Sequence, residues 1–332
     1  SLERFFNFKA CVDIIDPTLR AVSRVDHHDP RTAEVVSAAL IVVCMITGWH
    51  LIGQREAMTA SGKYAERAEE LARRVRRFDL EARALMCRTL VDMYHGDRAA
   101  AAEHAAMAED VARWCRDGSI LSEVLVSTLH HGLVEHQGWT PEQVYARAEE
   151  ALRAAERVGD VAMVSRIKFF YGTAALGEGR LAEARRFLDE SLELTYELGA
   201  YDGASLNNYL IICLAQGDHE AAIPPLRTCL RRMRRSGFRT NAGDLLSASA
   251  AIATWRDEHA ASAQLHGAAD VVRAPAYETG EMLQTPVEAA MEHASVERSR
   301  AAIGDEDFDK AYGEGAALPV DQACDLALAV LR

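Results

Sequence analysis

Gly179-Arg180-Leu181-Ala182-Glu183-Ala184, Gly217-Asp218-His219-Glu220-Ala221-Ala222 and Arg256-Asp257-Glu258-His259-Ala260-Ala261 follow one another at intervals of 38 and 39 residues. Each comes after an apolar stretch of helical periodicity and opens a new helix led by alanine. A tight turn followed by an amphipathic helix, recurring at this spacing, is what a stack of helical hairpins requires. One hairpin alone leaves an apolar face open, so several must stack before the core becomes continuous. Looser copies lie upstream. Gly138-Trp139-Thr140-Pro141-Glu142-Gln143 stands 41 residues before Gly179, Gly96-Asp97-Arg98-Ala99-Ala100 stands 42 earlier, and Gly62-Lys63-Tyr64-Ala65-Glu66 another 34. The expected fold is therefore all-α, a solenoid of about six hairpins between Thr32 and Arg273.

The helical stripes support the turns. After Gly179, residues Leu181, Ala184, Phe187, Leu188, Ser191, Leu192, Thr195 and Leu198 share one face, opposite Arg185, Arg186, Asp189, Glu190 and Glu193. Ala65, Ala68, Leu71, Ala72 and Val75 make the same stripe after Gly62. Pro224-Pro225 interrupts the helix after Gly217, which is expected to begin late, near Ile223, or to kink. Ala274-Pro275 breaks the pattern, with a loop expected from Ala276 to Thr285 and further helices at about 286–303 and 320–331. Three regions follow: an N-terminal cap or linker at 1–31, the helical-repeat solenoid at 32–274, and a helical closing segment at 275–332.

Composition narrows the function classes. The chain has 332 residues, a hydrophobic share of 49% that fits a folded protein, and a net charge of −13. That charge repels phosphates and argues against a general nucleic-acid or anionic-membrane binder. Only four of the 37 basic residues are lysines, a usage expected of a GC-rich genome. The seven cysteines are scattered and none forms a Cys-x-x-Cys pair, which points to free thiols in a reducing cytoplasm. The chain opens Ser-Leu without methionine, as an excised fragment would. Val35–Gly53 has the length and apolarity of a membrane span. Its Gly48 and His50, the absence of flanking basic clusters and its place in the repeat favour a core helix buried on most sides.

Sites of chemistry are sparse. Ala57-Met58-Thr59-Ala60-Ser61-Gly62-Lys63-Tyr64 approaches a phosphate-binding loop. It lacks glycine at Ala57 and a hydroxyl at Tyr64, so it reads as a plain turn. Asp26-His27-His28-Asp29 lies before Pro30 in a loop, and His130, His131, Glu135 and His136 do not match the His-Glu-x-x-His metal spacing. No catalytic, cofactor-binding or metal-ligating residue is assigned. Two surfaces are. Stepping by the repeat places Arg88, His130, Tyr171 and Tyr209 at equivalent positions of first helices, with Asn207 and Asn208 alongside. That polar and aromatic ladder could clamp a peptide backbone or hold a small-molecule inducer. Arg227, Arg231, Arg232, Arg234 and Arg235 are candidates for a docking patch for an acidic partner, beside their plainer reading as cations of a last helical turn that complement the helix dipole.

The C-terminal segment adds a resemblance. Ala263-Gln264-Leu265-His266-Gly267-Ala268-Ala269, Val272-Arg273, the run from Ala301 to Gly315, Leu318, and Asp321-Gln322-Ala323-Cys324-Asp325-Leu326-Ala327-Leu328 resemble the closing segment of bacterial STAND-type ATPase regulators. These are similar to LuxR-type transcriptional activators common in actinobacteria. Tyr312 stands where that family more often has tryptophan. The resemblance implies tetratricopeptide-like repeats that follow a P-loop ATPase and often precede a helix-turn-helix domain. It implies a sensor or protein-interaction arm and supplies no catalytic residue. With the acidic charge and scattered thiols, the expectation is a cytoplasmic arm without direct nucleic-acid or membrane contact and open to oligomerisation. The alternative is a free-standing tetratricopeptide-like adaptor that scaffolds other proteins.

Overall fold

Helices alone make up the regular structure of the described residues. The computed structural model describes residues 13–50, 55–115, 117–134, 140–198, 203–236, 242–279 and 286–332. In chain order the helices are α1 (Ile15–Val22), α2 (Pro30–His50), α3 (Arg55–Arg74), α4 (Phe78–His95), α5 (Arg98–Trp114), α6 (Gly118–Val134), α7 (Pro141–Val158) and α8 (Val161–Gly177). They continue as α9 (Leu181–Glu197), α10 (Gly203–Ala215), α11 (His219–Ser236), α12 (Ala242–Trp255), α13 (His259–Thr279), α14 (Pro286–Ile303), α15 (Asp305–Ala316) and α16 (Val320–Val330). From α2 to α13 they pair as six hairpins, the tetratricopeptide-like arrangement expected from the turn spacing. The chain divides into two compact units, residues 1–170 and 171–332.

The turns recur because one backbone device ends helix after helix. Gly96, Gly179 and Gly217 take φ of +74°, +72° and +74°. In each case the turn N–H and the next one bond back to carbonyls of the preceding helix: Gly217 to Leu214, and Asp218 to Cys213 at 2.8 Å. This paired closure satisfies carbonyls that the helix end would otherwise orphan, and glycine adopts the left-handed conformation without a Cβ penalty. In the third copy the left-handed residue is Asp257, at φ +61°, not Arg256. Asp257 donates to Thr254 O and Glu258 to Ala253 O, so the true register places Asp257, not Arg256, opposite Gly217. Aspartate tolerates this conformation through its short polar side chain.

In the first unit, α2 packs on α3, α3 on α4 and α4 on α5, while the first helices α2, α4 and α6 also touch in sequence. Ala65, Ala68, Leu71 and Ala72 of α3 are buried, as their stripe predicted, and small side chains let the helices approach. The turn expected at Gly62 is not there. Gly62 lies inside α3, where a Cβ would meet Val91 Cγ1 of α4 at 3.1 Å; the glycine serves helix contact instead. The turn at Gly138 falls outside the described residues. Thr140 after it caps α7 by accepting from Gln143 N, whose side chain in return accepts from Thr140 N. α2 buries Val36, Leu40, Ile41, Val43 and Cys44 but exposes Val35 (68%), Val42 (48%) and Met45 (37%), so it is buried on one side and not most. It remains the helix of the described residues long and apolar enough to cross a membrane.

Two proline positions of the second unit lie inside helices. α11 starts at His219 and carries Pro224 and Pro225 within it, which rules out the late start near Ile223 but not the kink. Two proline rings forgo two backbone bonds early in the helix, while buried Ala222, Leu226, Cys229, Leu230 and Met233 hold the face in place. α13 likewise runs through Pro275 to Thr279 instead of breaking there. The closing helices behave as a cap. α16 packs on α11, α12 and α13 and buries Ala323, Cys324, Ala327, Val330 and Leu331. α15 opens with Asp305, Glu306 and Asp307, whose charges suit a helix N-terminus, and crosses α13 at two glycines, Gly267 and Gly315.

Candidate functional site

The expected ladder separates into local contacts. In the first unit, Arg88 of α4 reaches the buried Glu69 of α3 at 2.6 Å, and Arg73 holds the same carboxylate at 2.7 Å. His130 sits on α6, and its side chain lies outside the described residues. In the second unit, Tyr171 stacks on Phe187 with centroids 5.0 Å apart. Asn208 Nδ2 donates to Thr173 Oγ1 at 2.8 Å, and Asn207 is buried. Tyr209 Oη accepts from Arg185 Nη2 at 3.2 Å, and the same guanidinium reaches Asp218 at 3.3 Å. Burial pushes the Tyr209 hydroxyl above its usual range. These side chains therefore bridge neighbouring helices of their own unit.

The arginine patch is shared with the closing helix. Arg227 donates to Leu331 O, Arg256 donates to Val330 O, and Arg234 pairs with Asp325. Two guanidinium groups thus satisfy the carbonyls at the end of α16, where the helix dipole is negative. Arg231 and Arg235 remain exposed, and Arg232 is half-buried.

The site that the sequence did not disclose lies beneath α14. This helix folds back onto α10, α12 and α13, and its buried residues are Ser295 and Ser299. Thr254 Oγ1 of α12 sits 2.7 Å from Ser262, 2.8 Å from Ser295 and 3.0 Å from Ser299. His266 Nε2 meets Ser295 Oγ at 3.0 Å, and burial holds its imidazole below the usual histidine range. Further along, Arg273, 5% exposed, binds Asp244 at 3.1 Å and Glu292 at 2.8 Å, and Ser247 donates to Glu292. Burial raises the Asp244 carboxyl to about 6, against the pull of Arg273. For Glu292, burial acts upward too, but Arg273 and the Ser247 hydroxyl outweigh it and hold that carboxyl low.

The seam fastening α14 is thus polar, and its other flank stands open. A cleft of about 570 Å³ lies among the starts of α9 and α11, the ends of α10 and α12, and α14. α14 contributes Val287, Ala290, Met291, Ala294 and Arg298, one helical face. On the array side His219 stacks on Trp255, centroids 5.1 Å apart and planes within 2°. This volume suits a drug-sized molecule, and mostly apolar walls with a few polar groups are the usual composition of such sites. No motif marks it in the chain, because its walls come from five helices; the small residues Ala290 and Ala294, four apart, are its nearest sequence trace.

The relatives speak to regulation. Over 149 residues the chain is similar to regulators of transcription. Three proteins named "Putative HTH-type transcriptional regulator", two from Mycobacterium tuberculosis strains and one from Mycobacterium bovis, are each 29% identical to it. The match covers 45% of this chain and 16% of each relative, so the chain spans a small part of their length. No family model matches the chain. The crystal structure of BtubC (BKLC) from P. vanneervenii aligns over 74% of this chain and 92% of that one, with 18% identity and a TM-score of 0.48.

Proposed function

We propose that the chain is a non-catalytic sensor and protein-interaction arm of a cytoplasmic STAND-type transcriptional regulator related to the LuxR-type activators. It binds a small-molecule inducer, or a protein or peptide partner, on its helical hairpins and controls an ATPase elsewhere in the same protein. The observation that carries this reading is the similarity to HTH-type regulators over 149 residues. The hairpin architecture supports it, since stacked hairpins offer extended binding surfaces and carry no chemistry of their own.

The reading frame on both sides of the chain provides the test. A P-loop ATPase upstream of Ser1 supports the sensor role, with or without a helix-turn-helix beyond Arg332. A frame that starts near Ser1 and stops at Arg332 refutes it and leaves an adaptor. The ladder is tested separately with Tyr171→Ala and Asn208→Ala. If both leave every inducer and partner interaction of the regulator intact, those residues serve packing.

A further inference from the structure

The cleft beneath α14 has a chemistry specific enough to name its ligand class. One wall is the His219–Trp255 stack, two flat rings parallel to within 2°. His219 Nδ1 lies 2.9 Å from Gly217 O. A carbonyl accepts only, so Nδ1 carries the proton and the ring plane is fixed. Trp255 remains 36% exposed, which for an indole at the end of a buried helix is a large apolar surface left uncovered. Leu181, Leu214 and Met291 line the cleft beside it, and Ala290 and Ala294 of α14 are too short to fill it.

Charge selects further. Among the described residues lining the cleft, Arg298 is the charged one and none is a carboxylate, in a chain of net charge −13. Arg298 Nη2 donates to Asp257 at 2.9 Å, but both side chains are more than half exposed. An exposed pair of this kind contributes little, and a planar guanidinium has further N–H groups for a second acceptor.

We infer that this cleft binds a planar aromatic molecule bearing one anionic group, its rings against His219 and Trp255 and its anion at Arg298. Such a ligand bridges α12 and α14, which are also joined by the polar seam through Thr254, Ser295 and Ser299 and by the Ser247–Glu292 hydrogen bond. The inference deepens the sensor reading by naming the ligand class. Binding itself is measured on this chain, so it stands or falls independently of what the reading frame encodes.

The test uses 1-anilinonaphthalene-8-sulfonate, an aromatic anion, and Nile red, an uncharged aromatic, in fluorescence titrations of the full chain. One saturable sulfonate site is expected. Ala290→Trp and Ala294→Trp, at exposed positions of α14 on the cleft, are each expected to weaken both probes by at least roughly tenfold. Ala301→Trp, exposed on the same helix outside the cleft, is expected to change neither. Arg298→Gln is expected to weaken the sulfonate by roughly fivefold or more while leaving Nile red unchanged. Thermal melts confirm that each variant is folded. Unaltered sulfonate binding in both alanine-to-tryptophan variants, or an equal loss in Ala301→Trp, overturns the site. Unaltered sulfonate binding in Arg298→Gln overturns the anionic class.

Discussion

Replacing Gly315 by alanine should unfold the closing segment far more easily than the size of one methyl group suggests. A Cβ on Gly315 would lie 2.5 Å from Gln264 Cα of α13, and closer still to the Gln264 carbonyl. Non-bonded carbons sit comfortably at about 3.5–4.0 Å, so α13 and α15 would have to separate by about 1 Å or more. The obstacle is backbone, so no rotamer can yield. Gly267 on α13 blocks the reciprocal approach, since its Cβ would lie 3.0 Å from the Tyr312 carbonyl carbon and the Ala316 nitrogen. Overpacking generally costs about 1–3 kcal/mol where side chains can relax; with backbone on one side of the clash, about 3 kcal/mol or more is expected. The better helix propensity of alanine offsets about 1 kcal/mol of that. Gly313 supplies the control on the same helix, being exposed with nothing within 4 Å of its would-be Cβ. Gly313→Ala should stabilise by about 0.5–1 kcal/mol. Thermal melts followed by far-ultraviolet circular dichroism read both, at about 2–4 °C per kcal/mol for a unit of this size. Gly315→Ala should melt about 4–12 °C lower and Gly313→Ala slightly higher. A Gly315→Ala protein as stable as its parent would refute the backbone contact.

Asp244 makes the second unit less stable as pH rises. Its folded-state carboxyl titrates at about 6 against 3.8 ordinarily, so the folded state holds the proton more tightly. The stabilisation from that proton is complete below the ordinary value and is lost as pH climbs through about 6. Asp244→Asn should therefore flatten the stability slope between pH 4 and 7. The difference from the parent should reach about 2–3 kcal/mol in urea titrations; an unchanged slope counts against the buried Arg273 cluster. Thr254→Val keeps the shape of the side chain but removes the hydroxyl that Ser262, Ser295 and Ser299 share, leaving Ser295 with His266 and Ser299 with His259 at 3.4 Å. A loss of about 1–3 kcal/mol is expected. Faster amide exchange in α14 should accompany it, and exchange unchanged there would mean the seam does not fasten that helix.

The turn motif was legible because its cause is local. A left-handed residue closing one helix and an alanine-led stripe opening the next are written in a few consecutive residues, and Gly96, Gly179 and Gly217 adopt that geometry. Six hairpins and an all-α fold followed from spacing alone. Where the sequence misled, the deciding contact came from elsewhere in the chain. Gly62 looked like a turn but is a crossing point against Val91. Pro224, Pro225 and Pro275 looked like breaks, yet their helices run on, and the flanking face of α11 is buried against α12 and α16. Arg256 looked like the turn residue, and only the backbone shows Asp257 in that role. The candidate site divides the same way. Arg88, Tyr171, Asn208 and Tyr209 were chosen by register, but register cannot say which neighbour a side chain meets. The cleft needed the return of α14, a helix with little amphipathic stripe and serine on its buried face. Local periodicity determined the repeat; the fold-back that brings Arg298 and Met291 toward His219 and Trp255 is a long-range packing event. A sequence window shorter than the distance between those residues cannot encode it visibly.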